Sequence, residues 1–113
     1  MRNVILMLMF MISFAGIAQQ KKNKNAKYNV EVNGNCEMCK KRIEKAAFSV
    51  AGVKSAAWHA DDTTLHLIIN EEKCSVNDVE KAVAKVGHDT KNVKATEDDY
   101  EKLHACCQYE RLK

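Results

Sequence analysis

Proline is absent from the 113-residue sequence, and aromatic residues make up only 6% of it. A thioredoxin-like fold completes its active site with a cis-proline, so the absence of proline argues against that class. At roughly 100–200 residues per domain, the chain is also too short for a multidomain enzyme or a barrel. One domain with a short tail is the expected organisation.

A strong excess of one charge is absent as well. The sequence has 18 Lys+Arg against 15 Asp+Glu, which gives a formal net charge of +3. Nucleic-acid-binding domains usually carry a strongly basic face. No nucleic-acid partner is therefore expected.

Residues 1–18 have the pattern of a secretory signal peptide. Arg2 gives a positive start, residues 4–12 are apolar, and the small residues Gly16 and Ala18 precede the expected cleavage site. An uncleaved transmembrane anchor is the alternative, but the apolar run is short for about 30 Å of hydrocarbon. Cleavage is therefore expected, with no membrane anchor left afterwards. The pattern predicts a periplasmic or secreted protein.

Residues 19–27 are polar and basic and are predicted to be a flexible leader. Four of the five methionines lie in the predicted signal peptide, so methionine richness is not expected to serve metal binding in the mature chain.

All five cysteines remain after cleavage, and an exported protein could pair them as disulfides. Because the number is odd, at least one cysteine must stay free, bind metal or pair between molecules.

Hydrophobic periodicity predicts an α+β domain whose strands and helices lie between residues 28 and 93. Alternating apolar residues indicate strands, and 3.6-residue spacing indicates helices. The predicted strands are 28–32, 53–59, 64–69 and 89–93, and the predicted helices are 36–50 and a second one after Ser75. This βαββαβ order predicts a ferredoxin-like sandwich, with a four-stranded antiparallel sheet and two helices on one face.

Residue pairs at the helix ends support these boundaries. Ser75 and Asp78 have the spacing of a capping box, and Gly87 is placed to end the second helix. The remaining residues, 96–113, form a tail in which Thr96 is expected to cap a short helix.

A Cys-x-x-Cys pair, Cys36 and Cys39, lies where the first strand gives way to the first helix. A helix N-terminus lowers the pKa of nearby thiols, and both sulfurs can reach one ion. Thiolates favour Cu(I), with Zn(II), Cd(II) and Hg(II) as competitors. A redox dithiol, half of a zinc site and a structural disulfide are the alternatives. Covalent haem attachment is excluded because Lys40, rather than histidine, follows the pair.

Residues 28–95 resemble the heavy-metal-associated domain family. The matching features are the stretch 36–46, with its Cys-x-x-Cys pair, and the glycines Gly52 and Gly87. The family includes copper chaperones, metal-binding domains of copper-transporting ATPases and a periplasmic mercury-binding protein. The resemblance implies the same βαββαβ fold, with Cys36 and Cys39 as metal ligands.

Two positions depart from the family pattern inside the domain. Gly34 stands where the family usually carries a core methionine before the first cysteine. His88 stands where a tyrosine or phenylalanine is common. Some bacterial copper chaperones have a histidine that reaches the ion, so His88 is either a third ligand or a neighbour of the site.

The tail adds His104, Cys106 and Cys107, and it looks like an extension found in some short exported proteins of this family. These residues are predicted to ligate metal, either at the first site or at a second one. A disulfide from Cys106 or Cys107 to Cys74 or to the Cys-x-x-Cys pair is the alternative. Cys74 itself is expected to be a packing residue. His59 and His66 are expected at the surface, and Trp58 in the core.

These features predict an exported soft-metal-binding protein, chiefly for Cu(I), that works as a chaperone or a sequestering protein and not as an enzyme. The ion would pass by thiolate exchange to a metal-transporting or metal-accepting partner. Two exposed dithiols can share an ion, so a metal-bridged dimer is an alternative form. A Zn, Cd or Hg buffer of the same fold, or a thiol–disulfide oxidoreductase using Cys36 and Cys39, are the alternative functions.

Overall fold

A computed structural model of the protein describes residues 22–111. The predicted signal peptide, residues 1–18, and the first part of the predicted leader lie outside the described residues. Across 22–111, no helix is both long and apolar enough to cross a membrane.

Three antiparallel strands form the sheet, in the order β1–β3–β2. They are β1 (Ala26–Glu31), β2 (Val53–His59) and β3 (Thr64–Ile69). The bounds of β2 and β3 are those predicted, whereas β1 begins earlier, inside the segment predicted to be the leader. Every second residue of the central strand is buried, because successive side chains point to opposite faces of a sheet. These residues are Leu65, Leu67 and Ile69.

The prediction of a fourth strand at 89–93 is wrong for the part of the chain that the structure describes. Only an isolated bridge joins Thr90 to Val32, next to β1. The segment turns back on itself, because the Thr90 N–H donates to the Val93 carbonyl at 2.8 Å. Buried Glu80 fixes this turn by accepting from Thr90 Oγ1 at 2.9 Å and from the Asn92 N–H at 3.0 Å.

Two helices pack on the sheet, α1 (Glu37–Phe48) and α2 (Val76–Lys85). The predicted capping box is present, since Ser75 and Asp78 exchange side-chain-to-backbone hydrogen bonds at the start of α2. Gly87 follows α2 with a φ of 103°, in the left-handed region that favours glycine.

The tail folds back onto the domain. It contains the short helix α3 (Glu97–Glu101), which Thr96 caps as predicted, and a 3-10 turn at Ala105–Cys107. Leu103, Cys107 and Tyr109 are buried as part of the core. The tail therefore completes the core at the end of the domain where α1 begins.

Candidate metal centre

The first turn of α1 brings the two cysteines of the Cys-x-x-Cys pair together. Cys36 is the N-cap of α1 and Cys39 lies in its first turn, with the two Sγ atoms 3.5 Å apart. Cys39 is fully buried, and its thiol donates to Asn35 Oδ1 at 3.2 Å. Cys36 remains partly exposed. The pair thus has one sulfur in the core and one at the surface.

The two thiols of this pair differ in acidity. Burial works to raise the pKa of Cys36, but hydrogen bonds from the Cys39 and Met38 backbone and from the thiols of Cys39 and Cys107 lower it to about 7. Burial raises the pKa of Cys39. Cys36 is therefore the thiol of the pair that ionises near neutral pH, and the thiolate is the form of cysteine that acts as nucleophile and can bind metal.

The tail brings two more thiols to this pair. Cys107, which is fully buried, places its Sγ 3.5 Å from that of Cys36, and Cys106 Sγ lies 3.8 Å from Cys107 Sγ. At a metal–sulfur distance of about 2.3 Å, two sulfurs on one tetrahedral ion lie roughly 3.8 Å apart. The Sγ atoms of Cys36, Cys106 and Cys107 all lie within 4.8 Å of one another, so these three thiols are spaced to share a soft ion, and Cys39 adjoins them through its contact with Cys36. The four thiols Cys36, Cys39, Cys106 and Cys107 are here called the sulfur cluster.

A thioether also reaches the sulfur cluster. The Cys106 thiol donates to Met38 Sδ at 3.4 Å. Met38 is 45% exposed although it is an apolar residue in the first turn of α1. Sequence reasoning missed Met38 as a site residue; its place inside the Cys-x-x-Cys pair was the available signal.

Tyr109 and Arg111, here called the tail anchor, hold the tail on the domain. The Tyr109 hydroxyl accepts from the Asp89 N–H at 2.7 Å and donates to the Gly87 carbonyl at 2.9 Å. Arg111 forms a two-point ion pair with Asp89, at 2.9 and 3.0 Å, and donates to the Ala95 carbonyl at 2.7 Å. The anchor lies just beyond Cys107, so it fixes the position of that thiol.

His88 lies beside the tail anchor. It is not part of the group formed by Cys36, Cys106 and Cys107, whose Sγ atoms all lie within 4.8 Å of one another. Its ring stacks on Tyr109 at 5.5 Å and its Nδ1 lies 2.8 Å from the Asn33 carbonyl oxygen. A carbonyl only accepts, so Nδ1 carries the proton and Nε2 keeps the lone pair. Within residues 22–111, Nε2 is buried without a partner. Burial lowers the pKa of His88, so the imidazole is neutral. Ligation by His88 stays a prediction.

The packing of the Trp58 indole explains why residue 34 is a glycine, with no side chain. A Cβ at Gly34 would lie 3.1 Å from Trp58 Cζ2 and 3.1 Å from Cys39 Cβ. Trp58 is 1% exposed, and its Nε1 donates to the Val32 carbonyl at 2.9 Å. The indole therefore packs beneath the loop before Cys36, and a larger residue at position 34 would displace it.

Among the described residues, none of the other predicted residues belongs to the group of ligand atoms that lie within 4.8 Å of one another. His104 is exposed at the start of the 3-10 turn, and its ligation stays a prediction. Cys74 is buried beside Gly52, as expected of a packing residue. His59 and His66 are exposed on the sheet. All five cysteines are free thiols.

Solved structures of metal-binding proteins are similar to this chain. The N-terminal domain of a potential copper-translocating P-type ATPase from Bacillus subtilis, in its Cu(I)-loaded state, is 31% identical, with a TM-score of 0.56, and the match covers 59% of this chain and 85% of that one. A CopZ metallochaperone matches at 24% identity and TM-score 0.56, over 57% of this chain and 98% of that one. Oxidised MerP from Ralstonia metallidurans matches at 23% identity and TM-score 0.51, over 58% and 96%. Neither protein-family models nor curated proteins gave a match.

Proposed function

The chain belongs to the heavy-metal-associated domain family, and from that premise we propose that it binds Cu(I) and passes it to a partner protein. The observation that carries this proposal is the position of Cys107, whose Sγ lies 3.5 Å from that of Cys36. The tail thereby adds a third thiol to the Cys-x-x-Cys pair. A three-thiolate site encloses a soft ion more fully than the pair alone.

The donor set favours a soft monovalent ion. Thiolate and thioether sulfurs select Cu(I), and the sulfur cluster with Met38 offers both. Zn(II), Cd(II) and Hg(II) are the competing ions, since four thiolates also suit a tetrahedral ion. The related ATPase domain is described in a Cu(I)-loaded state, which supports Cu(I) as the first ion to test.

Transfer proceeds by ligand exchange in this proposal. Cys106 is exposed and Cys36 is partly exposed, so a partner's thiolate can approach the ion from their side. The partner's thiolate displaces the tail thiolate, Cys107, first and Cys36 next, while buried Cys39 holds the ion until last. The partner is a metal-transporting or metal-accepting protein, and charges around the site orient its docking.

The protein acts as a carrier or a store, and not as an enzyme, in this proposal. The signal-peptide pattern at residues 1–18 supports a place of action outside the cytoplasm. Free thiols are readily oxidised in that environment, and a bound ion would protect them. Loading with metal would therefore make the thiols of the site harder to oxidise.

Competition with a chromophoric Cu(I) chelator tests the proposal. We expect the reduced wild-type protein to retain Cu(I), Cys36→Ser to lose it, and Cys107→Ser to bind at least about tenfold more weakly. Cys74→Ser, at a buried thiol outside the sulfur cluster, is the matched control and should bind like wild type. Failure of the wild-type protein to retain any ion would contradict the proposal.

A further inference from the structure

The sulfur atoms of the site form a continuous row. Their order is Cys39, Cys36, Cys107, Cys106 and Met38, with neighbouring sulfur atoms 3.5, 3.5, 3.8 and 3.4 Å apart. Even a tetrahedral ion takes only four ligands. A single ion therefore leaves part of the row unused.

The outer half of the row has the geometry of a site of its own. The Sγ atoms of Cys36, Cys106 and Cys107 all lie within 4.8 Å of one another. Met38 Sδ adds a fourth sulfur through its contact with Cys106. Cys39 lies at the other end of the row, buried in the core.

We propose that the protein binds a second Cu(I) ion at an outer site made by Cys36, Cys106, Cys107 and the Met38 thioether. This inference rests on the proposed function, in which the first ion is held by Cys36, Cys39 and Cys107. Cys36 and Cys107 lie in the middle of the row, so their thiolates bridge the two ions. The tail is then the element that converts a one-ion domain into a two-ion protein.

The charge of such a cluster is balanced in part by nearby cations. Each thiol releases its proton on binding, so two monovalent ions on four thiolates leave a net negative charge. Lys41 and Arg42 line the same surface groove as Met38. The N-terminal end of α1, at Cys36, also favours negative charge.

The two ions differ in access. The inner ion is enclosed by Cys39 and Cys107, both fully buried, whereas Cys106 is exposed and Met38 is 45% exposed. The outer ion is therefore expected to leave first when a chelator competes. Exchange with a partner would begin at the outer site.

Native mass spectrometry of the fully reduced protein, titrated anaerobically with Cu(I), tests the stoichiometry. We expect two ions on wild type, one on Cys106→Ser, and two on the control Cys74→Ser. In Met38→Leu, the second ion should bind at least about tenfold more weakly, with the first unchanged. X-ray absorption should detect a copper–copper distance in wild type that Cys106→Ser lacks.

The outcomes separate this inference from the proposed function. Saturation of the wild-type protein at one ion, or two ions retained by Cys106→Ser, would overturn the outer site while leaving Cu(I) binding intact. No retained ion would overturn both. Because Cys106 is exposed, its replacement by serine should not disturb the fold, and circular dichroism of the variant checks this.

Discussion

At the scale of single residues, the pKa values of Cys36 and Cys39 shift in opposite directions although only two residues separate them. Cys36 caps the helix, where backbone N–H groups and neighbouring thiols lower its pKa to about 7. Cys39 faces the core, where burial raises its pKa. An arriving ion therefore meets a thiolate at Cys36 and must displace a proton from Cys39.

Alkylation of the reduced, metal-free protein should reveal this difference. The thiolate is the reactive form, so the fastest alkylation should accelerate as the pH rises through about 7 and slow as the pH falls below it. Peptide mapping by mass spectrometry would assign that phase to Cys36, and Cys36→Ser should remove it. A midpoint near the ordinary thiol value of 9.0 for Cys36 would contradict the prediction.

Residue spacing was enough to find some site residues and not others. The Cys-x-x-Cys pair placed Cys36 and Cys39 correctly at the start of a helix, because that signal is local. The roles of Met38 and of the Gly34–Trp58 contact depend on what folds next to them. The place of Met38 inside the Cys-x-x-Cys pair is visible in the sequence, but a single sequence does not show that Cys106 packs against Met38 or that Trp58 packs against Gly34.

At the scale of elements, alternation predicted β2 and β3 at their observed bounds, since both strands have one buried face. The fourth strand, predicted at 89–93, did not form. There the Thr90 hydroxyl and backbone bond to Glu80 and Val93, which closes a turn in place of a strand. Buried Glu80 accepts hydrogen bonds from Thr90 and Asn92 in this turn, and a buried glutamate on a helix is not visible from periodicity.

The tail is an element whose contact with the domain depends on the tail anchor. Removing the Tyr109 hydroxyl by Tyr109→Phe leaves the buried Asp89 N–H and Gly87 carbonyl unpaired. We expect this to cost about 1–3 kcal/mol and to open the tail more often. Labelling of native Cys107 should then be roughly tenfold faster for each 1.4 kcal/mol lost.

The matched control for this prediction is Tyr28→Phe, which removes a hydroxyl that bonds to Glu71 away from the tail. It should leave Cys107 labelling unchanged. Labelling of buried Cys74 reports on opening of the rest of the domain, and it should stay slow in both variants. Equal protection of Cys107 in Tyr109→Phe and wild type would mean that the anchor does not hold the tail.

At the scale of the whole molecule, three segments distant in sequence meet at one end of the domain. The loop before α1 bonds to the segment after α2, since the Asn33 N–H donates to the Asp89 carbonyl at 2.8 Å. Arg111 of the tail pairs with the same Asp89 at 2.9 Å. Displacement of the tail is therefore coupled through Asp89 to the loop that carries Cys36.

The position of the tail thiols beside Cys36 gives a prediction for metal transfer from the Cu(I)-loaded protein to a competing dithiol, followed by stopped-flow absorbance. In wild type, the tail thiolates must leave before the acceptor can reach the inner ion. The double variant Cys106→Ser/Cys107→Ser should therefore transfer its ion faster than wild type, and Cys74→Ser should transfer at the wild-type rate. Because ligand exchange requires the acceptor to attack the ion, both rates should increase with acceptor concentration. A rate independent of acceptor concentration would mean that the ion dissociates first. Equal rates for the double variant and wild type would mean that the tail does not control access to the site.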